Sequence, residues 1–359
     1  MKHPVRVASA IALAVVVAAC GGSSNNNNAS SGGTSTPAAK KPNLAMITAS
    51  STQNAFNEMT YGAEAAAQDK NANLKTAAPN GVNPPKEVAL FQAAQQTSDD
   101  GIGLMTVAPD IFVRPFSQAV AKGIPIVAVD AAPLPGSDVK TFVGNSNTNI
   151  GVQMATELLK KIPKNATGEV VIGNPIPGLP LLQARINGMK QVLSKERPQL
   201  KILGPFNVGT EPTDNYNHWN DLVKAHPNAV AYMEPGDQGA VSFARISKQT
   251  GKHYLVGACD VDPAALQAVK DGYVYVLGDP QHFLKGYVAI SLLADNATGK
   301  AKLPEGWFNP GSGIVTKANV DKVIAREQNN ETRKAFYQPI LDKELANPSA
   351  YIKPISEAN

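Results

Sequence analysis

The sequence is poor in cysteine, in aromatic residues and in unbalanced charge. Two cysteines, Cys20 and Cys259, stand among 359 residues, and aromatic residues make up 6% of the chain. The formal net charge is +4, and half of it comes from Lys2 and Arg6 near the start. We therefore expect neither a small disulfide-stapled domain nor the concentrated positive field of a nucleic-acid-binding protein.

Catalytic motifs are also missing from the sequence. It contains no Gly-x-Ser-x-Gly, His-Glu-x-x-His or Cys-x-x-Cys pattern, and no phosphate loop ending in Gly-Lys-Ser/Thr. The histidines are scattered, and Asp260, Asp262 and Asp279 lack the dense oxygen spacing of a calcium loop. We predict that the protein is not an enzyme and that it has no metal site and no cofactor.

Long apolar runs are absent except near the start of the chain. Residues 10–19 are wholly apolar, but as a helix they would span about 15 Å, half of a bilayer core. A charged start, a short apolar stretch and small residues predict a secretory signal peptide over residues 1–19. The tetrapeptide "VAAC" resembles the bacterial lipobox, which would make Cys20 the lipidated residue, and residues 20–41 are Gly-, Ser- and Asn-rich, typical of a flexible tether.

These features predict an extracytoplasmic protein with a lipid anchor. The anchor would hold the protein at the bacterial cell membrane, in the periplasm or on the outer face.

The remaining chain alternates short apolar runs with amphipathic stretches. The runs are continuously apolar, as in "GIGLMTVA" (101–108) and "IPIVAVD" (124–130), which is typical of strands buried on both faces of a parallel sheet. After a fifth strand at "TFVGN" (141–145), the pattern starts again and runs to "YVYVLG" (273–278). We predict an α/β protein with two doubly wound parallel-sheet lobes.

Polar residues follow several of the predicted strands. In doubly wound sheets, ligands bind beyond the carboxyl ends of the strands. An acid in that place is often only the N-cap of the next helix, but several acids and an arginine share this edge: Asp130, Glu234, Asp237, Asp260, Asp279 and Arg185. Because carboxylates accept from hydroxyls and a guanidinium donates to oxygens, the edge suits a neutral polyhydroxylated ligand.

Several motifs carry a family resemblance in their order and spacing: "QNAF" (53–56), "GIPIVAVD" (123–130), "FVGNSNTNIG" (142–151), "ARINGM" (184–189), "VGACDVDPAALQAVKDG" (256–272) and "GDPQHFLKGYVAI" (278–290). The chain resembles the type 1 periplasmic binding proteins, specifically the ribose-binding-like branch of bacterial ABC-transporter solute receptors.

The resemblance implies two lobes that close about a hinge. The N-terminal lobe would comprise residues 42–144 with 279–310, and the C-terminal lobe residues 145–278 with 311–359. It also implies three crossovers between the lobes, near Gly144, near Gly278 to Asp279 and near Pro310.

Carried over by position, the resemblance implies ligand-binding roles for Asn54, Phe56, Asn57, Asp130, Arg185, Asp237, Asp260 and Asp279. Asn57 replaces the second phenylalanine of the family pattern, Ala131 replaces an arginine, and Thr210 stands roughly where the second lobe has an aromatic residue. Stacking on a sugar ring needs an aromatic face. Because two aromatic positions are replaced, the ligand could be a polyol or an open-chain sugar as well as a monosaccharide.

The implied function is that of a monomeric solute-binding lipoprotein that hands a sugar or polyol to an ABC permease and ATPase. Sequence leaves one alternative open: the same body presents its ligand to a membrane signalling protein. DNA-binding regulators share this core, but the predicted signal and tether stand where a helix-turn-helix would lie. Residues 323–359 exceed the usual family ending, and we expect a short helix and an extended tail on the second lobe.

Overall fold

The computed structural model describes residues 40–358. The predicted signal peptide, Cys20 and most of the predicted tether therefore lie outside the described residues. Across residues 40–358, every helix is too short or too polar to cross a bilayer.

The first lobe begins with alternating strands and helices, as the apolar pattern predicts. Its elements are β1 (Asn43–Ile47), α1 (Asn54–Asp69), β2 (Asn73–Ala77), α2 (Pro84–Ala94), β3 (Gly101–Met105), α3 (Pro109–Ala121), β4 (Ile126–Val129) and β5 (Thr141–Val143).

The second lobe repeats this alternation. Its elements are α4 (Asn147–Leu159), β6 (Gly168–Asn174), α5 (Pro180–Glu196), β7 (Leu200–Asn207), α6 (Pro212–Ala225), β8 (Ala231–Met233), α7 (Gln238–Thr250), β9 (Val256–Cys259), α8 (Pro263–Asp271) and β10 (Val276–Asp279).

The last part of the chain moves between the lobes. Its elements are α9 (His282–Ala297), β11 (Gly306–Phe308), β12 (Gly313–Val315), α10 (Val320–Arg326), α11 (Asn330–Ala346) and β13 (Ile352–Lys353).

Each lobe is built on its own sheet. Within residues 40–358 the first sheet has the strand order β13-β11-β5-β4-β3-β1-β2, and the second has the order β12-β10-β9-β8-β6-β7. Neighbouring strands are parallel except at one edge of each sheet, where β13 and β12 run antiparallel to β11 and β10. The predicted fold class, two parallel-sheet α/β lobes, is confirmed.

The chain passes between the lobes four times in the described residues. The first three passages, at residues 144–146, 280–281 and 309–312, lie close to the three crossovers that the resemblance implies. The fourth, at residues 327–329, leads from α10, which packs on α8, to α11, which packs on α1 and α9.

The expectation that residues 323–359 lie on the second lobe is wrong for α11 and β13. Tyr337 and Leu341 of α11 are buried in the core of the first lobe, and the Tyr337 ring stacks on Phe283 with centroids 5.9 Å apart. β13 then extends the first sheet by pairing with β11. This segment packs on the first lobe because the apolar side chains of α11 are buried against the apolar surface of that lobe.

Each lobe contains a pair of helices that approach closely at facing glycines, α1 with α9 and α4 with α5. In the first lobe, a Cβ on Gly62 of α1 or Gly286 of α9 would collide with a backbone carbonyl of the opposite helix. In the second lobe, Gly151 of α4 and Gly188 of α5 are equally close to the facing backbone. These glycines let α1 approach α9 and α4 approach α5, which fixes the first turns of α5 and α9 beside the gap between the lobes.

Candidate ligand site between the lobes

A cavity of about 60 Å³ lies between the lobes, beyond the carboxyl ends of both sheets. The side chains that line it follow strand ends or begin helices, as the doubly wound architecture predicts. Those with polar or aromatic character are Gln53, Phe56, Asp130, Arg185, Thr210, Asp237, Asp260 and His282.

Asp130 and Asp260 occupy equivalent places in the two lobes. Each follows the strand end, β4 or β9, and each has a left-handed backbone, with φ of 64° and 68°. The backbone N–H of Asp130 donates to Val143 O and that of Asp260 to Gly278 O, both at 2.8 Å. Non-glycine residues rarely adopt this conformation, and such backbone strain is concentrated at functional sites.

Asp130 forms a buried ion pair with Lys285, whose Nζ donates to Asp130 Oδ1. Lys285 belongs to α9 and its side chain is fully buried. Burial would raise the pKa of Asp130, but the charges of Lys285, His282 and Arg185 outweigh it and lower the pKa to about 2. Burial lowers the pKa of Lys285, and Asp130 partly offsets that effect.

Asp260 is held by donors from both lobes. His282 Nε2, at the start of α9, donates to Asp260 Oδ1 at 2.8 Å, and Arg185 Nη1 lies 3.9 Å from the same oxygen. Burial would raise the pKa of Asp260, but the bond from His282 and the charge of Arg185 lower it. Both strand-end aspartates are therefore ionised at neutral pH.

Arg185 is fixed by bonds on three sides. Its Nε donates to Asn147 Oδ1 at 2.9 Å, and its Nη1 lies 2.8 Å from Pro235 O and 3.3 Å from Cys259 Sγ. The side chain is 2% exposed, and its position in α5 follows from the close approach of α4. A guanidinium held this firmly is pre-organised to donate to a ligand.

Several polar atoms of the cavity have no protein partner among residues 40–358. They include Asp130 Oδ2, Asp260 Oδ2, Asp237 Oδ1, Arg185 Nη2 and His282 Nδ1. Asp237 accepts from Gln238 at 3.2 Å, and burial with the nearby charge of Asp260 raises the pKa of Asp237 to about 7. The cavity thus offers acceptors and a charged donor while its cations offset its ionised acids.

Three of the predicted site residues do not line this cavity. Asn54 donates to Glu58 Oε1 at 2.5 Å, and Asn57 Nδ2 lies 3.4 Å from Ser51 O. Asp279 accepts from Arg326 Nη1 at 2.6 Å in a buried ion pair at the second passage between the lobes. The structure brings together Phe56, Asp130, Arg185, Asp237 and Asp260, and it places Asn54, Asn57 and Asp279 in supporting contacts.

Lys285 and His282 are site residues that sequence reasoning missed. A usable signal existed in "HFLKGYVAISLLA" (282–294), where Lys285 interrupts a mainly apolar stretch of α9 well before Asp295 near the end of the helix. The two residues are three apart, so they share a face of α9 directly after a strand-end acid.

The remaining strand-end acid and the tryptophans have structural roles. Glu234 accepts from Trp219 Nε1, from Asn215 at 3.1 Å and from the Gly239 backbone at 3.1 Å, inside the second lobe. Burial raises the pKa of Glu234 to about 7, partly offset by these bonds. Trp307 donates to Gly144 O at 2.6 Å within the first lobe. Within residues 40–358, no cluster of three or more His, Cys, Asp or Glu side chains is arranged to hold a metal ion.

Comparison with known proteins gives consistent matches. The chain is 22% identical over 256 residues to the xylose/arabinose-binding protein XylF of Sulfolobus acidocaldarius, covering 65% of this chain and 61% of that protein. A periplasmic solute-binding protein of Actinobacillus succinogenes with bound D-allose superposes with a TM-score of 0.72 at 24% identity, covering 79% of this chain and 100% of that one.

A solute-binding protein of Burkholderia graminis in complex with D-arabinose gives the same TM-score at 23% identity, covering 79% of this chain and 98% of that one. At these identities the solved structures establish the fold. The family model described as "Periplasmic binding protein domain" matches residues 44–301. The chain therefore belongs to the periplasmic binding protein family, whose members are extracytoplasmic solute receptors and not enzymes.

Proposed function

We propose that this protein is a lipid-anchored solute-binding component of an ABC importer, and that it closes around a small neutral hydroxylated ligand, a monosaccharide or polyol. The observation that carries the proposal is the convergence of Asp130, Arg185 and Asp260 on one cavity between the lobes. Their uncommitted oxygens and N–H groups match the donors and acceptors of hydroxyls.

The charge balance favours a neutral ligand over an ionic one. The ionised Asp130 and Asp260 face Lys285 and Arg185, so the buried charges largely compensate one another. A ligand with a net charge would disturb this balance in a desolvated site. The relatives named above are a xylose/arabinose-binding protein and complexes with D-arabinose and D-allose, which agrees with a neutral sugar.

Each lining residue has a proposed role. Asp130 and Asp260 accept from ligand hydroxyls, Arg185 donates to ligand oxygens, and Phe56 contacts the apolar C–H face of the ligand. Asp237 takes part either as donor or acceptor, because its pKa of about 7 leaves it partly protonated at neutral pH.

A thermal-shift screen identifies the ligand. Pentoses, hexoses, deoxy sugars and polyols of four to six carbons are added to the purified protein without its signal peptide. A ligand at 100 times its dissociation constant stabilises the folded state by about 2.7 kcal/mol, which raises the melting temperature measurably. A screen in which every compound leaves the melting temperature unchanged contradicts the proposal.

Calorimetry on Arg185→Ala tests the site itself. Losing the charged donor leaves buried acceptors unmatched, so we expect binding of the screened ligand to weaken by at least about 2 kcal/mol, roughly thirtyfold. Arg245→Ala, an exposed arginine of the same lobe, serves as the matched control. Arg185→Lys retains the charge, and unfolding curves verify that each variant folds. Unchanged affinity in Arg185→Ala would reject the assignment.

The anchor and the transport role need cellular tests. Cys20→Ala should release the full-length protein from the membrane fraction and abolish labelling by a radioactive fatty acid. Deleting the gene in its host should abolish uptake of the labelled ligand. Normal uptake with a lost transcriptional response to the ligand would favour the sensory alternative.

A further inference from the structure

A second, larger recess adjoins the polar cavity. It has a volume of about 240 Å³, against about 60 Å³ for the polar cavity, and Asp130 and Leu181 line both. A ligand whose hydroxyls reach Asp130 therefore has space to continue into this recess.

The walls of the recess are mainly small and apolar, and they come from both lobes. The first lobe contributes Ala131, Ala132, Leu134 and Phe142, and the second contributes Leu181 and Ala184. Ala358, from the segment that follows β13, adds to the wall on the side of the first lobe. The recess thus lies between the same two lobes as the polar cavity.

The polar side chains of the recess are largely engaged elsewhere. Asn145 Nδ2 donates to Gly311 O, Asn147 Oδ1 accepts from Arg185 at 2.9 Å, and Asn147 Nδ2 lies 3.4 Å from Asn145 O. Asp130 Oδ2, which has no protein partner in residues 40–358, stands at the boundary between the two spaces. Asn145 Oδ1 is buried without a hydrogen-bond partner in residues 40–358, so the recess has one further acceptor in its wall, whereas most of its remaining surface is apolar.

Size and packing argue that the recess accommodates part of a ligand. The recess is partly open to solvent, and its volume of about 240 Å³ exceeds the roughly 150 Å³ with which an apolar cavity binds benzene. Beside the recess, Leu179, Leu181 and Leu182 pack against Ala131 across the gap between the lobes. This apolar contact closes the cleft tightly, yet alanines at 131, 132 and 184 leave the adjoining space unfilled.

We infer that the recess is a subsite for an apolar substituent, so that the preferred ligand is an alkyl or aryl glycoside. This inference rests on the proposed function, because the polar cavity must first hold the sugar. The hydroxyls bind at Asp130, Arg185 and Asp260, and the aglycone occupies the space between Ala132, Phe142 and Ala184.

Calorimetry on paired ligands tests the subsite. D-xylose, L-arabinose, D-ribose, D-glucose and D-galactose are each compared with their methyl and phenyl glycosides. Each buried methyl or methylene group should tighten binding about fourfold, and the phenyl glycoside of the preferred sugar should bind at least about tenfold tighter than the free sugar.

Two variants fill the recess from opposite lobes. Ala184→Phe and Ala132→Phe should each remove the gain from the phenyl group while leaving the affinity for the free sugar within about twofold. Gln183→Phe adds the same ring on the exposed side of α5 and should retain the gain. Melting temperatures of the ligand-free variants verify folding. If one recess variant does not fold, the other is enough to compare the phenyl glycoside with the free sugar.

The outcomes separate the subsite from the proposed function. If a free sugar binds but its glycosides bind equally or more weakly, the subsite is overturned and the proposed function stands. If the phenyl gain persists in both recess variants, the substituent lies elsewhere and the subsite is again overturned. If no sugar and no glycoside of the panel binds, the subsite is overturned, and the thermal-shift screen with its polyols and other sugars decides separately whether the proposed function stands.

Discussion

The two lobes are built alike but neutralise their strand-end aspartates differently. Asp130 and Asp260 share a left-handed backbone and the same bond to a neighbouring strand. Asp130 relies on Lys285, whereas Asp260 is held by His282 and Arg185 together. Duplicated architecture thus fixes where the acids lie, while the helices beside the gap determine how each acid is stabilised.

The asymmetry arises because α9 begins at a passage between the lobes. Lys285 and His282 lie on this one helix of the first lobe, yet His282 bonds an aspartate of the second lobe. The second lobe supplies its own cation, Arg185, from α5. Replacing Lys285, the partner of Asp130, should therefore lower the free energy of unfolding more than replacing His282, one of two partners of Asp260.

Lys285→Met should have the largest effect. It leaves Asp130 buried without its cation, and breaking a buried ion pair costs about 3–5 kcal/mol. Urea denaturation at pH 7 measures this loss in the free energy of unfolding. Lys300→Met, at an exposed lysine, should change stability by less than about 0.5 kcal/mol. The double variant Asp130→Asn with Lys285→Met should recover much of the loss. A Lys285→Met protein within about 1 kcal/mol of the parent would contradict this account of the pair.

Alanine at the paired glycines tests whether the lobes are truly equivalent in packing. Gly62→Ala in the first lobe and Gly188→Ala in the second should each destabilise the protein by about 3 kcal/mol, since the facing backbone cannot move aside cheaply. Urea denaturation again provides the measurement, with Gln68→Ala on the exposed face of α1 as the control. If one of the two alanine variants loses much less stability than the other, the helix packing of the two lobes is not equivalent.

The pH dependence of stability should separate Glu234 from Asp130. The pKa of Glu234 is raised from 4.5 to about 7, so the folded state binds that proton more tightly. Its stabilisation is fully present below pH 4.5 and is lost as the pH rises from there through 7, an effect on the order of 3 kcal/mol. Asp130 has the opposite sign: its pKa is lowered from 3.8 to about 2, so its stabilisation is lost as the pH falls through that interval.

Unfolding free energies at pH 3, 5 and 8 measure both effects. Glu234→Gln should flatten the decline between pH 5 and 8, and Asp130→Asn should flatten the decline between pH 5 and 3. If each variant keeps the full pH dependence of the parent, these assignments are wrong.

His282→Ala should have the smallest effect. Asp260 loses one hydrogen bond but keeps Arg185 nearby, so we expect a loss of about 1 kcal/mol in the free energy of unfolding. His253→Ala, at an exposed histidine, is the matched control. A loss as large as that in Lys285→Met would show that the second aspartate depends on the hydrogen bond from His282 more than on the guanidinium.

The fold and the centre of the site could be predicted because their signals are local. Continuously apolar runs mark buried parallel strands, and Asp130 and Asp260 follow such runs directly. Strand ends meet at one edge of a sheet, so the convergence of these acids follows from the architecture.

The hydrogen-bond and ion-pair partners of the predicted residues could not be predicted from the sequence pattern. Asp279 pairs with Arg326, 47 positions away, and Asn54 bonds Glu58 on its own helix. Nothing in the apolar pattern indicates which of several nearby groups a side chain meets after folding. The return of α11 to the first lobe was missed for a similar reason, because an amphipathic helix does not reveal which apolar surface it will cover.

The fourth passage between the lobes has a mechanical consequence. Arg326, at the end of α10, pairs with Asp279 at the second passage, and Asn145 at the first passage bonds Gly311 at the third. Backbone segments tied in pairs resist twisting and sliding more than separate segments do. The lobes should therefore swing about a narrowly defined axis, and each closure should restore the same alignment of the two faces.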